Sequence, residues 1–144
     1  MKTWFPLLLV VIAACTTPEK ENNSANNKER NETKKVLFIC TSVDEVNGQA
    51  NGTFLSEIAV PFILFEAQEL EIDLVSPKGG EIPIYYKFDT TETLNRALQS
   101  EYYQKKIRHS LKPNQINPQD YHVVVLPGGY GQFWDIHENQ AINT

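Results

Sequence analysis

Two adjacent glycines, Gly128 and Gly129, follow the apolar run Val123-Val124-Val125-Leu126-Pro127, and Gly131 comes shortly after. Glycines placed there let the backbone turn sharply and aim bare N–H groups at one point, the geometry of an oxyanion hole. The same residues also suit a plain strand-to-helix turn. Cys40 lies inside an apolar run between Ile39 and Thr41, with no elbow glycine or base beside it. That pattern reads as a buried structural thiol. His109 sits at a helix end, His122 opens a strand, and His137 shares a loop with Asp135 and Glu138. The three histidines and Cys40 lack short metal-ligand spacing, so no metal is expected. Gly79 and Gly80 belong to no phosphate-binding pattern. Tyr130 and Trp134 either line a pocket near the glycine turn or cover the sheet.

Three extended segments must position these residues. Residues 35–42 are continuously apolar and rich in β-branched and aromatic types, as in a strand buried on both faces. Residues 71–77 form a second strand, ended by Pro77 and the Gly79-Gly80 pair. Residues 121–127 carry the strongest β signal in the chain. Asn47, Gly48, Asn51 and Gly52 mark a loop. Leu55, Ile58, Ala59, Phe62, Ile63 and Leu70 recur at helical spacing, with Pro61 interrupting them. The spacing predicts a short first turn holding Glu57 and a main helix starting near Pro61. Residues 90–93 can cap a single helix running to about Ser110. Strands alternating with helices predict right-handed crossovers and a parallel sheet covered on both faces. Ligands of such sheets bind beyond the carboxyl ends of the strands, where residues 41–57, 76–80 and 127–131 meet.

The N-terminal end carries different information. Lys2 and the apolar residues 7–12 have the layout of a secretory signal, at roughly 10 apolar residues too short for a span that needs about 20. Ile12-Ala13-Ala14-Cys15 resembles a lipobox, in which Cys15 takes the lipid that ties the protein to a membrane. The expectation is a lipoprotein signal over residues 1–15 and an exported, membrane-anchored protein. Residues 16–35 are almost wholly polar and are expected to be a disordered tether. Residues 36–144 then form one small domain of 109 residues with 7 Lys and Arg against 14 Asp and Glu, a net charge of −7. That balance argues against nucleic acid as a partner. With Cys15 lipidated, Cys40 has no disulfide partner.

Taken in order, residues 36–42, Glu57-Ile-Ala-Val-Pro61, Ser76-Pro-Lys-Gly-Gly80, and Asp120-Tyr-His-Val-Val-Val-Leu-Pro-Gly-Gly129 with Trp134-Asp135 resemble the ThiJ/PfpI family. This family lies within the class I glutamine amidotransferase-like superfamily, and the resemblance is to its branch of cofactor-independent glyoxalases and chaperone-like hydrolases. It implies a flavodoxin-like α/β sandwich, no cofactor, a small carbonyl substrate such as methylglyoxal, and a possible homodimer. It makes Glu57 the acid that supports a catalytic cysteine, and Gly128 and Gly129 the oxyanion-side glycines. The family's cysteine stands at an elbow beyond another helix and strand, with a histidine beside it. Here the chain reaches Thr144 within what the resemblance makes that helix. The sequence therefore predicts a sandwich incomplete at its C-terminus, without the nucleophile and inactive alone. Two other readings are a non-catalytic binding or holdase module, and one half of a split enzyme completed by a separate C-terminal half.

Overall fold

The computed structural model describes residues 34–85 and 91–143. The signal, Cys15 and nearly all of the expected tether lie outside the described residues. Strand β1 (Lys35–Ile39) leads to a hairpin of β2 (Glu45–Val46) and β3 (Gln49–Ala50). Then come β4 (Thr53–Phe54), helix α1 (Leu55–Glu66), β5 (Glu71–Val75), β6 (Ile84–Tyr85), α2 (Glu92–Gln99) and α3 (Glu101–Arg108). Two 3-10 turns (Pro113–Gln115, Pro118–Asp120), β7 (Tyr121–Val125) and α4 (Gln132–Asp135) complete the described elements. The main sheet is parallel with strand order β5-β1-β7, and β4 pairs in parallel with β6 in a separate two-stranded sheet. This is the α/β architecture with a parallel sheet that the alternating pattern predicts.

Alternation along the strands sorts the two faces of the sheet. Val36, Phe38, Ile72 and Leu74 are buried with Leu55, Ile58, Ala59 and Phe62 of α1, and with Leu94, Ala97, Tyr103 and Ile107 of α2 and α3. Phe62 anchors this layer, its ring centroid 6.1 Å from Phe38 and 5.1 Å from Tyr103. On the opposite face, Leu37, Ile39, Val75 and Val124 border an open cavity of about 360 Å³ with Pro113, Ile116, Ala141 and Ile142. The connection from α3 to β7 therefore changes faces, and it rounds the sheet at the outer edge of β5. There Leu111 N–H donates to the Leu74 carbonyl at 2.8 Å, and Ser76 N–H donates to the Leu111 carbonyl at 3.0 Å. Below that turn, Lys106 Nζ donates to Asp73 Oδ1 at 2.8 Å. Burial alone would raise the Asp73 pKa, but the hydrogen bond and charge of Lys106, with help from Tyr121 and Lys35, hold the carboxyl below its usual range.

Four local expectations need correction. Helix α1 does not restart at Pro61; it is continuous from Leu55, with Pro61 inside it. Pro61 removes one helical hydrogen bond, at a cost of about 3 kcal/mol or more. Burying Leu55 and Ile58 on the preceding turn returns about 1.5–3 kcal/mol each. The helix expected over residues 90–110 is two helices that meet at Ser100, whose φ of −70° and ψ of 117° are extended. Ser100 closes α2 and its side chain accepts from Tyr103 N–H, so one residue is the C-cap of one helix and the N-cap of the next. The segment after β1 is no plain loop, because Asn47 and Gly48, at φ 53° and 75°, close a hairpin. Finally, β7 is not buried on both faces: Val123, Val124 and Leu126 are 39–60% exposed along an outer strand with no neighbour beyond it among the described residues.

Candidate functional site

The glycine turn and the start of α1 meet at the carboxyl end of the sheet. Gly128 N–H donates to Glu57 Oε2 at 2.6 Å, and the Gly128 carbonyl accepts from Phe54 N–H at 2.9 Å. The N–H and the carbonyl of Gly128 are thus bonded to Glu57 in the first turn of α1 and to Phe54 at the end of β4 just before it. Glu57 stands in the first turn of that helix, where the free N–H groups and the helix dipole favour a carboxylate. A Cβ on Gly128 would lie 2.6 Å from Glu57 Oε2, so only glycine leaves room for this approach. Gly129 has a φ of 139°, a region other residues rarely adopt, and a Cβ there would strike the Gly52 carbonyl oxygen. With Gly128 N–H committed to Glu57, Gly129 N–H is the one with no hydrogen-bond partner among the described residues.

Two side chains hold the turn against the loops after β1. Asp135 accepts from Thr41 Oγ1 at 2.8 Å and from Ser42 N–H at 2.6 Å. Asn51 Oδ1 accepts from Gly52 N–H at 2.8 Å and from Gly131 N–H at 2.9 Å. These positioning contacts escape a reading of the sequence by spacing, since the partners are 80 to 94 residues apart. The only signals were an Asn before a glycine and an Asp in the Trp134-Asp135 pair. Beside Gly129, a small apolar pocket of about 170 Å³ is lined by Phe54, Tyr85, Tyr130 and Phe133. Tyr130 therefore takes the pocket alternative, whereas Trp134 is 64% exposed and neither lines this pocket nor covers the sheet.

The remaining reactive residues lie elsewhere. Cys40 is fully buried at the end of β1, and burial pushes its thiol up to about 12. Thr53 beside it works in the other direction without cancelling the rise. A thiol in that state supplies almost no thiolate at neutral pH. His122 and His137 are exposed, and His109 lies at the end of α3 with its ring against the Lys105 carbonyl. Among the described residues, no three His, Cys, Asp or Glu side chains gather around one point.

The class these features define is an α/β parallel-sheet fold with a glutamate at the start of a helix bound to a Gly-Gly turn, as in ThiJ/PfpI proteins. The homologues of this chain are glutathione-independent glyoxalases. It is 28% identical over 127 residues to a putative glutathione-independent glyoxalase, hsp3105, of Schizosaccharomyces pombe, covering 79% of this chain and 49% of that protein. It is 28% identical over 113 residues to the glutathione-independent glyoxalase HSP31 of Saccharomyces cerevisiae, covering 71% and 46%. Among solved structures, Rapid Encystment Protein 24 kDa of Francisella tularensis is 28% identical with a TM-score of 0.64, over 75% of this chain and 50% of that one. Glyoxalase III of Candida albicans shares the fold at 23% identity and a TM-score of 0.63, over 77% and 50%. No protein-family model matches the chain. The chain spans about half the length of the curated relatives it matches.

Proposed function

We propose that this chain forms one wall of a glyoxalase-type site that adds water to a small carbonyl compound such as methylglyoxal. The observation that carries this reading is the 2.6 Å hydrogen bond from Gly128 N–H to Glu57 at the carboxyl end of the sheet. In the conversion of methylglyoxal to lactate, the aldehyde carbon is oxidised while the adjacent ketone is reduced, and one water is added. No external oxidant is needed, which agrees with a cofactor-free site. A cysteine thiolate would add to the aldehyde, Glu57 would support that thiol, and Gly129 N–H would meet the resulting oxyanion. Cys40 is the wrong thiol for this, being sealed in the core. The nucleophile belongs, in this reading, to polypeptide outside these 144 residues, and the chain alone is inactive. Lactate formation from methylglyoxal should be undetectable with the purified chain. It should appear on co-expression with the second half of the S. pombe relative and fall at least tenfold in Glu57→Gln. Turnover by the chain alone that disappears in Cys40→Ser would overturn the reading.

A second reading, a holdase or an assembly module, is favoured by the exposed apolar stretch Val123, Val124 and Leu126. It predicts suppression of client aggregation that is indifferent to Glu57→Gln. We also propose, from the residues before Cys15 alone, that the protein is exported and tethered to a membrane by lipid on that cysteine. Cys15→Ala should then release it to the soluble fraction, and continued membrane association would refute the anchor. Among the described residues no helix is long and apolar enough to cross a membrane.

A further inference from the structure

Asparagine followed by glycine occurs twice in the chain, at Asn47-Gly48 and at Asn51-Gly52. The structure treats the two pairs in opposite ways. Asn47 and Gly48 form the two-residue tip of the β2–β3 hairpin, at φ 53° and 75°. Positive φ at both positions is the type I′ arrangement, which asparagine and glycine tolerate best. Both residues are exposed, and neither the Asn47 side chain nor the Gly48 N–H has a hydrogen-bond partner among the described residues. A Cβ built on Gly48 would meet nothing within 4 Å, so the space around this glycine is open. Below the tip, only Glu45 with Ala50 and Val46 with Gln49 are paired, and a ladder that short opens readily.

Asn51 is fastened instead. Its Oδ1 accepts from Gly52 N–H at 2.8 Å and from Gly131 N–H at 2.9 Å, and its own N–H donates to the Asp44 carbonyl at 2.7 Å. The side-chain amide therefore cannot rotate without breaking two hydrogen bonds, and the Gly52 nitrogen holds its proton in one of them. Gly52 is also buried, and a Cβ there would strike the Pro83 carbonyl oxygen. The same dipeptide is loose at the hairpin tip and locked at the hairpin base.

We propose that Asn47-Gly48 is a site of spontaneous covalent modification, deamidation through a cyclic imide, that Asn51-Gly52 is shielded from it, and that isoaspartate formed at the tip loosens the hold on Asn51. The reacting groups belong to one chain, so the step is intramolecular and needs only a near-attack arrangement. A base takes the Gly48 amide proton and the nitrogen attacks Asn47 Cγ. The new N–Cγ bond forms as the Cγ–Nδ2 bond breaks and ammonia leaves. Water then opens the five-membered imide. Attack on the side-chain carbonyl gives aspartate, and attack on the main-chain carbonyl gives isoaspartate, whose backbone is one methylene longer. One water is consumed, one ammonia is released, and nothing is oxidised. A two-residue turn has no room for the extra methylene, so isoaspartate spoils the pairing of β2 with β3. The Asp44–Asn51 hydrogen bond closes the base of that hairpin, which links the tip to the residue that holds Gly131. The site involves neither Glu57 nor Gly128 nor Gly129, so it stands or falls independently of the glyoxalase reading.

The test ages the purified full chain in warm buffer and follows it by peptide mass mapping and by labelling with an isoaspartate-specific methyltransferase. Replacement of NH2 by OH should accumulate at Asn47 at least about tenfold faster than at Asn51, part of it as isoaspartate. Asn47→Gly removes the reactive amide and keeps a turn suited to two glycines. In that variant the methyl label on the peptide carrying the hairpin should vanish. Amide-proton exchange at Asn51 should quicken in the aged wild-type chain and stay constant in aged Asn47→Gly. Four results would each overturn the proposal. They are conversion at Asn51 as fast as at Asn47, an intact Asn47 after an unstructured peptide of the same sequence has converted, a hairpin label that persists in Asn47→Gly, and exchange at Asn51 that ignores the isoaspartate.

Discussion

Gly128 and Gly129 are neighbours with the same side chain missing for different reasons, and substitution separates them. A Cβ on Gly128 meets Glu57 Oε2, the free end of a flexible and exposed side chain. Gly128→Ala should therefore fold, push the carboxylate aside and lose one hydrogen bond to a charged group. The cost is about 1 kcal/mol, at the low end because water can reach the released carboxylate. At Gly129 the obstacle is the Gly52 backbone, and the φ of 139° is itself unfavourable for alanine. Strain and overpacking of that kind cost about 2–5 kcal/mol together. Thermal melting of the two alanine variants checks the order: Gly128→Ala close to wild type, Gly129→Ala far below it. Equal losses would mean that the turn adapts as one unit and that Glu57 is not what Gly128 makes room for.

Among the elements, Ser100 does more than its position in the sequence suggests. Its hydroxyl accepts from Tyr103 N–H at the start of α3 and donates to Glu66 at 3.1 Å near the end of α1. Ser100→Ala should cost about 1 kcal/mol through the lost cap, read as a lower denaturation midpoint with unchanged slope. An unchanged midpoint would mean that packing of Tyr103 and Ile107 alone fixes the break. Strands β1 and β7 were legible as dense apolar runs and β5 from Ile72, Leu74 and Val75 ahead of Pro77, and so was the helical register of α1. The break at Ser100 was not, because an amphipathic stripe continues across it and serine is tolerated in helices. Pro61 misled for the opposite reason: a strong local breaker lost to the burial of Leu55 and Ile58. Gly128 and Gly129 were found from their place directly after a strand and Glu57 from the resemblance, whereas the hydrogen bond between Glu57 and Gly128 spans 71 residues and is not encoded in any local pattern. The sequence of β7 is that of a buried strand, and its uncovered edge was foreseeable only from the incomplete sandwich that the resemblance implies.

At the scale of the whole molecule, the sheet is finished on one side and open on the other. One face is packed by α1, α2 and α3, and the outer edge of β5 is taken up by Leu111, where the chain passes to the other face, and by the Tyr102 hydroxyl on Ile72. Among the described residues the outer edge of β7 has no such guard, and it lacks the lysines and inward charges by which exposed edges usually discourage pairing. The chain spans about half the length of its relatives, which leaves them further polypeptide with which to cover the same surface. The guarded edge also sets a limit on self-association. A chain of copies joined through the main sheet would need two open edges on every copy, and the described residues of that sheet offer one. Pairing through β7 is thus confined to a two-fold, self-complementary arrangement in which each copy satisfies the other and leaves nothing to extend. Sedimentation at rising concentration should show a single step from one copy to two. Progressive growth into larger species would mean that Leu111 and Tyr102 release the edge of β5. A sheet protected along one border would thus cap its own polymerisation at the dimer.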